Sequence, residues 1–316
     1  MNHKLYWTVD IGGTKILLLL IDQAGKVLYR EKKPTPKPSY PETLATSIEE
    51  TIKEAAFTLG ISDKMDLGGL AVCTAGFVDA ESGVVHQSPN LEWHKPVPLE
   101  EILAGRFSCP ILVENDTNAA VVGEVCYGAA QGHNNVIYVT LSTGIGGGFL
   151  LNGRLYRGSS GFAGEIGHTK PFGKGRKCKC GGYDCLEAWA SGSAMVNLAD
   201  NLRKETGIKN NHITAKWVFE QADSGNKNAK KLVDHAASSL GTGLANLVTL
   251  LNPTCLVIGG GIAAGRTDFL EQVTSKIKQE AIKPAVEITP LRIVSAELEP
   301  EAGIWGAYAL ITGRVM

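Results

Sequence analysis

The chain has 316 residues, of which 44% are hydrophobic and 20% are charged. These ordinary proportions exclude a disordered or fibrous protein and are enough for about two domains. The 31 lysines and arginines are balanced by 32 aspartates and glutamates, which argues against a nucleic-acid-binding protein, because such proteins usually carry a marked basic excess.

The N-terminus and the cysteines predict a cytoplasmic protein. Residues 1–4 lead directly into an apolar segment, without the charged region, long apolar region or cleavage site of a signal peptide. The longest apolar run, Ile16–Ile21, is far shorter than the roughly 20 residues that cross a bilayer. Three of the seven cysteines lie close together, which is typical of a reduced protein with one metal-binding cluster.

Apolar patterns predict strands and helices in the first part of the chain. Strands are expected at Tyr6–Val9, Lys15–Ile21, Lys26–Tyr29, Leu67–Thr74 and Ile111–Val113, and helices at Ser39–Leu59 and Ala119–Tyr127. The polar segment Glu114–Asn118 stands just before the second helix.

The same order of elements recurs about 130 residues later. Strands are expected at Asn135–Leu141, Phe149–Leu151 and Arg154–Tyr156, with a glycine-rich turn at Gly144–Gly148. Two such starts imply two similar α/β domains that face each other. No Pro- or Ser-rich linker separates them, so a tight hinge is expected near Asn115–Ala120.

The last part of the chain is expected to be mainly helical. Residues 189–250 have helical patterns, and the strand Thr254–Ile258 leads into Gly259–Gly261 and a helix that extends to about Glu280. A strand at Leu291–Ser295 and a final helix at Ile304–Thr312 complete the prediction.

The 37 glycines are about 12% of the 316 residues, above the usual share of about 7%. Many of them fall in turns. A glycine-rich turn exposes several backbone N–H groups that can bind phosphate oxygens. The turn Asp10–Lys15 adds the Thr14 hydroxyl, the Lys15 cation and the Asp10 carboxylate, which Mg²⁺ with its waters would separate from phosphate. The alternative is a hairpin turn that merely needs glycine, but two such turns at equivalent positions favour phosphate binding.

Two familiar nucleotide motifs do not account for these turns. The chain lacks a Walker A sequence. Gly259, Gly261 and Ala264 satisfy a relaxed dinucleotide fingerprint, but no acidic residue ends a following strand about 20 residues later. The beginning of a helix packed on adenosine or ribose suits these glycines equally well.

In combination, these motifs resemble the ROK family of bacterial sugar kinases and repressors, within the actin/hexokinase/Hsp70-like ATPase superfamily. The motifs that carry the resemblance are Asp10–Lys15, Glu114–Ala120, Gly144–Gly148, Glu165–His168, Cys178–Glu187 and Gly259–Gly261. The resemblance implies an α/β fold of two ribonuclease H-like domains with a cleft between them. The smaller domain would span residues 1–118, completed by a C-terminal helix at 303–316, and the larger one residues 119–302, with a zinc loop at 168–185.

The resemblance also implies ATP-dependent phosphorylation of a hexose or N-acetylhexosamine, usually at its 6-hydroxyl. ATP with Mg²⁺ would bind at the glycine-rich turns, through Asp10, Gly12, Gly13, Thr14, Lys15, Thr143, Gly144, Gly260 and Gly261. Asp116 would be the general base that removes the hydroxyl proton, and Asn115 would bind neighbouring hydroxyls. The residues alone leave a helix N-cap as the alternative role for Asp116.

One histidine and three cysteines, namely His168, Cys178, Cys180 and Cys185, have a spacing that suits a tetrahedral structural zinc site. The alternative is a set of buried, reduced thiols. Asp184 stands where family members usually have glycine, which leaves the geometry of this turn open.

The resemblance places Glu165, His168 and Glu187 on the sugar, and we add Gly76 and Asn90 from the first domain. The alternative for the segment around Asn90 is a plain turn. Glucose is the expected sugar, while N-acetylglucosamine, N-acetylmannosamine and fructose stay open. Family habit suggests a homodimer. The balanced charge and the short apolar runs predict neither a nucleic-acid nor a membrane partner.

Two other classes are weighed against the kinase. ROK repressors carry an N-terminal DNA-binding domain, whereas here the first strand begins at about residue 5. A sugar sensor without catalysis would have lost the nucleotide turns, yet Asp10, Thr14, Gly144 and Asp116 are present. A nicotinamide oxidoreductase would rest only on Gly259–Ala264.

Overall fold

The computed structural model describes residues 4–61, 67–199, 202–204, 207 and 213–315. These residues form two compact units. The first unit comprises the described parts of Met1–Gln131, Gly148–Ala163 and Pro300–Met316, and the second those of Gly132–Gly147 and Gly164–Glu299.

The first unit is built on a mixed five-stranded sheet. Its strands are β1 (Leu5–Ile11), β2 (Lys15–Asp22), β3 (Val27–Pro34), β4 (Leu67–Thr74) and β7 (Ile111–Asn115). Between β4 and β7 the chain forms a separate hairpin of β5 (Phe77–Asp79) and β6 (Val84–Gln87). The sheet order is β3-β2-β1-β4-β7. The first three strands are antiparallel, whereas β4 and β7 run parallel to β1. The β5–β6 hairpin was not expected from the sequence.

Both faces of this sheet are covered. On one face, Trp7, Val9 and Leu18 share a core with Leu44 and Ile48 of helix α1 (Pro41–Leu59). On the other face, Tyr6, Leu17 and Leu19 pack with Ile304 and Tyr308 of the C-terminal helix α10 (Ala302–Ile311). Burial on both faces explains why Ile16–Ile21 is continuously apolar rather than alternating.

The two other helices of the first unit are α2 (Leu99–Ala104) and α3 (Asp116–Tyr127). Helix α3 packs along α10, where the Tyr127 ring lies 5.4 Å from Trp305 and 6.2 Å from Tyr308, between ring centroids. Because of this packing, the chain leaves the first unit after Gln131, not at the expected boundary at residue 118. The first unit also includes the described parts of Pro300–Met316, and it includes Gly148–Ala163, which were expected in the larger domain.

The second sheet repeats the order of the first. Its strands are β8 (Val136–Leu141), β9 (Ile145–Leu151), β10 (Arg154–Leu155), β11 (Cys255–Gly259) and β12 (Arg292–Ser295), in the order β10-β9-β8-β11-β12. The predicted internal repeat is therefore confirmed. The turn expected at Gly144–Gly148 ends earlier, because β9 begins at Ile145. A Cβ atom at Gly147 would clash with Ile166, and one at Gly148 would clash with Thr117.

Several helices follow where one long helical region was expected. They are α4 (Glu187–Ala190), α5 (Gly192–Leu198), α6 (Ala215–Asp223) and α7 (Lys227–Leu251). The helix that was expected separately after Gly261 is α8 (Thr267–Glu280), and α9 (Pro284–Glu287) follows it. Residues 200–201, 205–206 and 208–212 of that region lie outside the described residues. Helix α8 begins later than expected, because Ala263 N donates to Gly260 O at 3.0 Å and closes a turn. Within the described ranges, no helix has the length and apolar character needed to cross a membrane.

Candidate active site

Three parallel strands of the first unit end side by side and bring acidic side chains together. In the register of the sheet, Asp10 of β1 lies beside Cys73 of β4, and Cys73 lies beside Glu114 of β7. Burial, and after it the negative charges of Asp10, Asp116 and Glu114, raise the pKa of the Cys73 thiol well above its ordinary value. The carboxyl end of this sheet is therefore an acidic cluster around a buried thiol.

Asn115 is the N-cap of helix α3. Its Oδ1 atom accepts hydrogen bonds from the N–H groups of Thr117 and Asn118, at 2.9 and 3.1 Å, and from the Thr117 hydroxyl at 2.6 Å. Its Nδ2 atom donates to the carbonyl oxygen of Gly76 at 3.0 Å. The structure thus brings Asn115 and Gly76 together, and it leaves one N–H of the Asn115 amide for a ligand.

Asp116 is the first residue of α3 and is half-buried. Burial raises the pKa of its carboxyl group, although hydrogen bonds from backbone N–H groups partly oppose the shift. One of these bonds runs from Thr117 N to Asp116 Oδ1 at 2.9 Å. A carboxylate with a raised pKa beside a helix N-terminus has the character of a general base.

The turn between β1 and β2 is held by hydrogen bonds to its carbonyl oxygens. Gly12 N donates to Lys15 O at 3.0 Å, and Thr35 donates to Gly12 O through its hydroxyl and to Thr14 O through its N–H, at 2.6 and 3.1 Å. Gly13 has no space for a side chain, because a Cβ atom there would lie 2.6 Å from the Asn90 carbonyl oxygen. Gly13 and Asn90 are therefore adjacent.

The same turn also carries hydrogen-bond donors that are not used in holding it together. The side chains of Thr14 and Lys15 are exposed. Within the described part of the chain, the N–H groups of Gly13 and Thr14 have no hydrogen-bond partner. The arrangement matches a backbone site for an anion.

The equivalent turn of the second unit, Ser142–Gly144, is held by helix α5 and by Glu187. Ser142 O and Thr143 O accept hydrogen bonds from Gly192 N and Ser193 N, at 2.9 and 3.1 Å. Glu187 Oε2 accepts one from Ile145 N at 3.1 Å. Glu187, expected on the sugar, thus also supports this turn.

A third turn follows β11 and is held by a residue that the sequence did not single out. The Glu299 Oε1 atom accepts hydrogen bonds from Gly260 N at 2.8 Å and from the Tyr138 hydroxyl at 2.6 Å. Gly260 has a φ of +92°, which favours glycine. The Gly260 N–H is committed to Glu299. Of the two glycines of this turn that were expected to bind nucleotide, exposed Gly261 is therefore the one that can donate its N–H.

The second unit also gathers the histidine and the three cysteines. Their donor atoms, from His168, Cys178, Cys180 and Cys185, all lie within 4.8 Å of one another. The Cys180 and Cys185 sulfur atoms are 3.6 Å apart, and Cys178 Sγ is 4.0 Å from His168 Nδ1. Bonds of about 2.3 Å to sulfur and about 2.0 Å to nitrogen around a tetrahedral zinc ion would separate the donor atoms by about 3.5–3.8 Å. The donor set and its spacing therefore fit Zn²⁺.

His168 connects this cluster to a carboxylate. Its Nδ1 atom faces Cys178, while its Nε2 atom lies 3.9 Å from Glu165 Oε2. One ring nitrogen can therefore bind metal while the other stays near Glu165.

Asp184 occupies a position in the cysteine loop where the resemblance led us to expect glycine. Its φ is +60°, in the left-handed region that glycine adopts most easily. Its carboxylate accepts hydrogen bonds from the N–H groups of Gly175 and Arg176, at 2.8 and 2.9 Å. These bonds, that from Arg176 first, lower the pKa of Asp184.

The residues expected from the sequence thus fall into two sets. The first unit carries Asp10, Gly12, Gly13, Thr14, Lys15, Gly76, Asn90, Asn115 and Asp116, and the second carries Thr143, Gly144, Glu165, His168, Cys178, Cys180, Cys185, Glu187, Gly260 and Gly261. Sequence reasoning missed Thr35 and Glu299. Each is a single polar residue distant in sequence from the group it supports, so no local spacing could have revealed it.

The repeated sheet, the glycine turns and the acidic strand ends define an α/β protein of the actin-like ATPase fold. Comparison with known proteins then identifies the family. The model of the ROK family matches residues 6–314, and the chain belongs to that family.

Three relatives illustrate this membership. A glucokinase from Halalkalibacterium halodurans is 32% identical, over 98% of this chain and 96% of its own length. The structure of a ROK-family glucokinase from Streptomyces griseus, in complex with glucose and AMPPNP, is 33% identical with a TM-score of 0.77, over 97% of this chain and 98% of its own. A xylose repressor from Caldicellulosiruptor bescii is 29% identical, over 98% of this chain and 78% of its own length.

Proposed function

We propose that the protein is an ATP-dependent glucokinase that transfers the γ-phosphate to the 6-hydroxyl of glucose. The observation that carries the proposal is Asp116, a carboxylate with a raised pKa at the start of a helix whose cap is supplied by its neighbour Asn115. Full-length similarity to a glucokinase and to a glucokinase bound to glucose and AMPPNP supports the substrates.

Asp116 acts as the general base. As the sugar oxygen attacks the γ-phosphorus, the bond from that phosphorus to the β-bridging oxygen breaks, and ADP leaves with its electron pair. The hydroxyl proton passes to the Asp116 carboxylate. Because burial raises its pKa, Asp116 is a stronger base than an exposed aspartate.

The glycine turns bind the nucleotide. The N–H groups of Gly13 and Thr14, with the Thr14 hydroxyl and the Lys15 ammonium, bind phosphate oxygens, and Thr143 and Gly144 do the same from the second unit. Gly261 and its neighbour Gly260 contact the nucleoside. A Mg²⁺ ion would neutralise phosphate charge, and Asp10 would hold it through water.

A structural zinc ion is part of the proposal. His168, Cys178, Cys180 and Cys185 would hold it, and the ion would order the loop without joining the chemistry. If Nδ1 of His168 bound the metal, its Nε2 atom, which lies near Glu165, would be available to a sugar hydroxyl, alongside Glu165 and Glu187. Gly76, Asn90 and Asn115 bind the sugar from the first unit.

The choice of sugar is tested by measuring ADP release over a panel of glucose, N-acetylglucosamine, N-acetylmannosamine, fructose and mannose. Glucose is expected to give the highest kcat/KM. A higher value for an N-acetyl sugar would reassign the substrate. Because a xylose repressor is also similar, calorimetry with glucose and xylose belongs beside the assay: sugar binding without ADP release would indicate a sensor.

Assembly and location complete the proposal. We place the protein in the cytoplasm, where the phosphoryl donor ATP is available, and we propose the homodimer that the family resemblance implies. Light scattering of the purified chain, whose subunit mass is 33.6 kDa, tests the dimer directly.

A further inference from the structure

One buried ion pair lies next to Asp116 and is not accounted for by the proposed roles. Glu114, at the end of β7, is completely buried. Its Oε2 atom accepts a hydrogen bond from Arg157 Nε at 2.8 Å, in an ion pair whose arginine side chain is 30% exposed. A buried carboxylate is tolerated when a cation and hydrogen-bond donors compensate its lost hydration.

The other carboxylate oxygen of Glu114 accepts hydrogen bonds from residues that precede and follow Asp116 in the sequence. Its Oε1 atom accepts hydrogen bonds from Asn115 N at 2.9 Å and from Asn118 Nδ2 at 3.1 Å. Asn115 comes immediately before Asp116, and Asn118 lies in the same first turn of α3. The Glu114 carboxylate therefore fixes the backbone that enters the helix and the turn that carries the base.

Arg157 is itself held in a closed loop of the first unit. Its carbonyl oxygen accepts a hydrogen bond from Ala163 N at 2.9 Å, which closes residues 157–163. At the other end of this loop, the Phe162 ring packs edge-on against Phe77 and His86, with centroids 5.5 and 5.6 Å apart. The guanidinium group thus approaches Glu114 from a loop anchored at both ends.

We propose that Glu114 and Arg157 are positioning residues that orient Asp116 for phosphoryl transfer. This inference rests on the proposed function, in which Asp116 is the base. Arg157 holds the Glu114 carboxylate aimed at Asn115 and Asn118, and Glu114 in turn sets where the Asp116 carboxylate points. A displacement of a catalytic group by about 1 Å can lower a rate by about 10²-fold, so loss of the pair reduces kcat without weakening nucleotide binding.

The experiment compares Arg157→Gln, Arg157→Lys and the double variant E114Q/R157Q with wild type. Arg154→Gln is the matched control, because Arg154 is an exposed arginine at the start of β10. Thermal melts, kcat and the KM values for glucose and ATP are measured for each protein. The double variant leaves no unpaired buried charge, so it decides the question if Arg157→Gln fails to fold.

The expected result is a fall in kcat of about 10-fold or more for Arg157→Gln and for the double variant, with a KM for ATP within about threefold of wild type. Arg157→Lys recovers part of kcat, because an ammonium can still pair with Glu114. A folded double variant with kcat within threefold of wild type would overturn the proposal. Failure of the proposed function would be recognised by a different result. In that case wild type would release no ADP with any sugar, or Asp116→Asn would remain active.

Discussion

The Asn115 side-chain oxygen accepts the N–H of Thr117 at 2.9 Å, so that Asn115 rather than Asp116 caps helix α3. The sequence left capping open as the role of Asp116. Because Asn115 supplies the cap, the Asp116 carboxylate is only a second acceptor for the N–H of Thr117. Asp116 is therefore available at the helix N-terminus to act as a base.

This cap predicts a difference between two substitutions at one position. Asn115→Ala is expected to lower the free energy of unfolding by about 1 kcal/mol, because Thr117 and Asn118 lose their acceptor. Asn115→Ser keeps a side-chain acceptor there without adding charge to the acidic cluster, and it is expected to lose less, although it gives up the bond to Gly76 O. Urea denaturation of the three proteins measures the difference, and equal losses for both variants would contradict the capping role.

The raised pKa of Asp116 predicts the acidic limb of the pH–rate profile. The base works only when ionised, so kcat/KM for glucose falls as pH falls through the pKa of Asp116. Because burial raises that pKa, the limb is expected above the ordinary aspartate value of about 3.9. Initial rates between pH 4 and 8, in buffers where the coupling enzymes are not limiting, measure it. A limb at or below the ordinary value would show that a different group controls the rate.

How far the sequence predicts this molecule differs between its parts. The strand Leu67–Thr74 was predicted with both ends correct, because a continuous apolar run between polar segments marks a buried parallel strand. The start of α3 was predicted three residues late, since the polar residues Asp116–Asn118 carry no apolar periodicity and the cap is visible only through its hydrogen bonds.

The functional groups show the same division. Short local motifs predicted the cysteine cluster, and the structure brings its four donor atoms together. The supports of these motifs were not predictable, because Glu299 lies 39 residues from Gly260 and Arg157 lies 43 residues from Glu114. Only the fold makes such pairs neighbours.

The cysteine cluster predicts stoichiometric zinc and loss of stability on its removal. Metal analysis is expected to find about one zinc per chain, and a strong chelator is expected to lower the melting temperature. Cys180→Ser should bind less zinc, whereas Cys126→Ser, a cysteine outside the cluster, serves as the control and should bind a full equivalent. A metal-free wild-type protein with unchanged melting temperature and activity would refute the site.

The contacts of Asp184 predict an order of loop stability among aspartate, glycine and alanine at position 184. Asp184→Gly loses the bonds to Gly175 and Arg176 but relieves the left-handed backbone, whereas Asp184→Ala loses the bonds and keeps the strain. Resistance of the loop to proteolysis is therefore expected to fall from wild type through Asp184→Gly to Asp184→Ala. The advantage of wild type is also expected to shrink at acid pH, because hydrogen bonding lowers the pKa of Asp184 and its stabilising ionised form is lost as pH falls through that value. An alanine variant as resistant as the glycine variant would be inconsistent with this order.

The most direct test of the catalytic account is the pair of measurements on Asp116→Asn. Glucose affinity is measured by calorimetry, and turnover is measured as ADP and glucose 6-phosphate formed from ATP. The account predicts a glucose Kd within a few-fold of wild type and a kcat lower by about 10²–10⁴-fold, the usual contribution of a general base. An Asp116→Asn protein that phosphorylates glucose at close to the wild-type rate would contradict it.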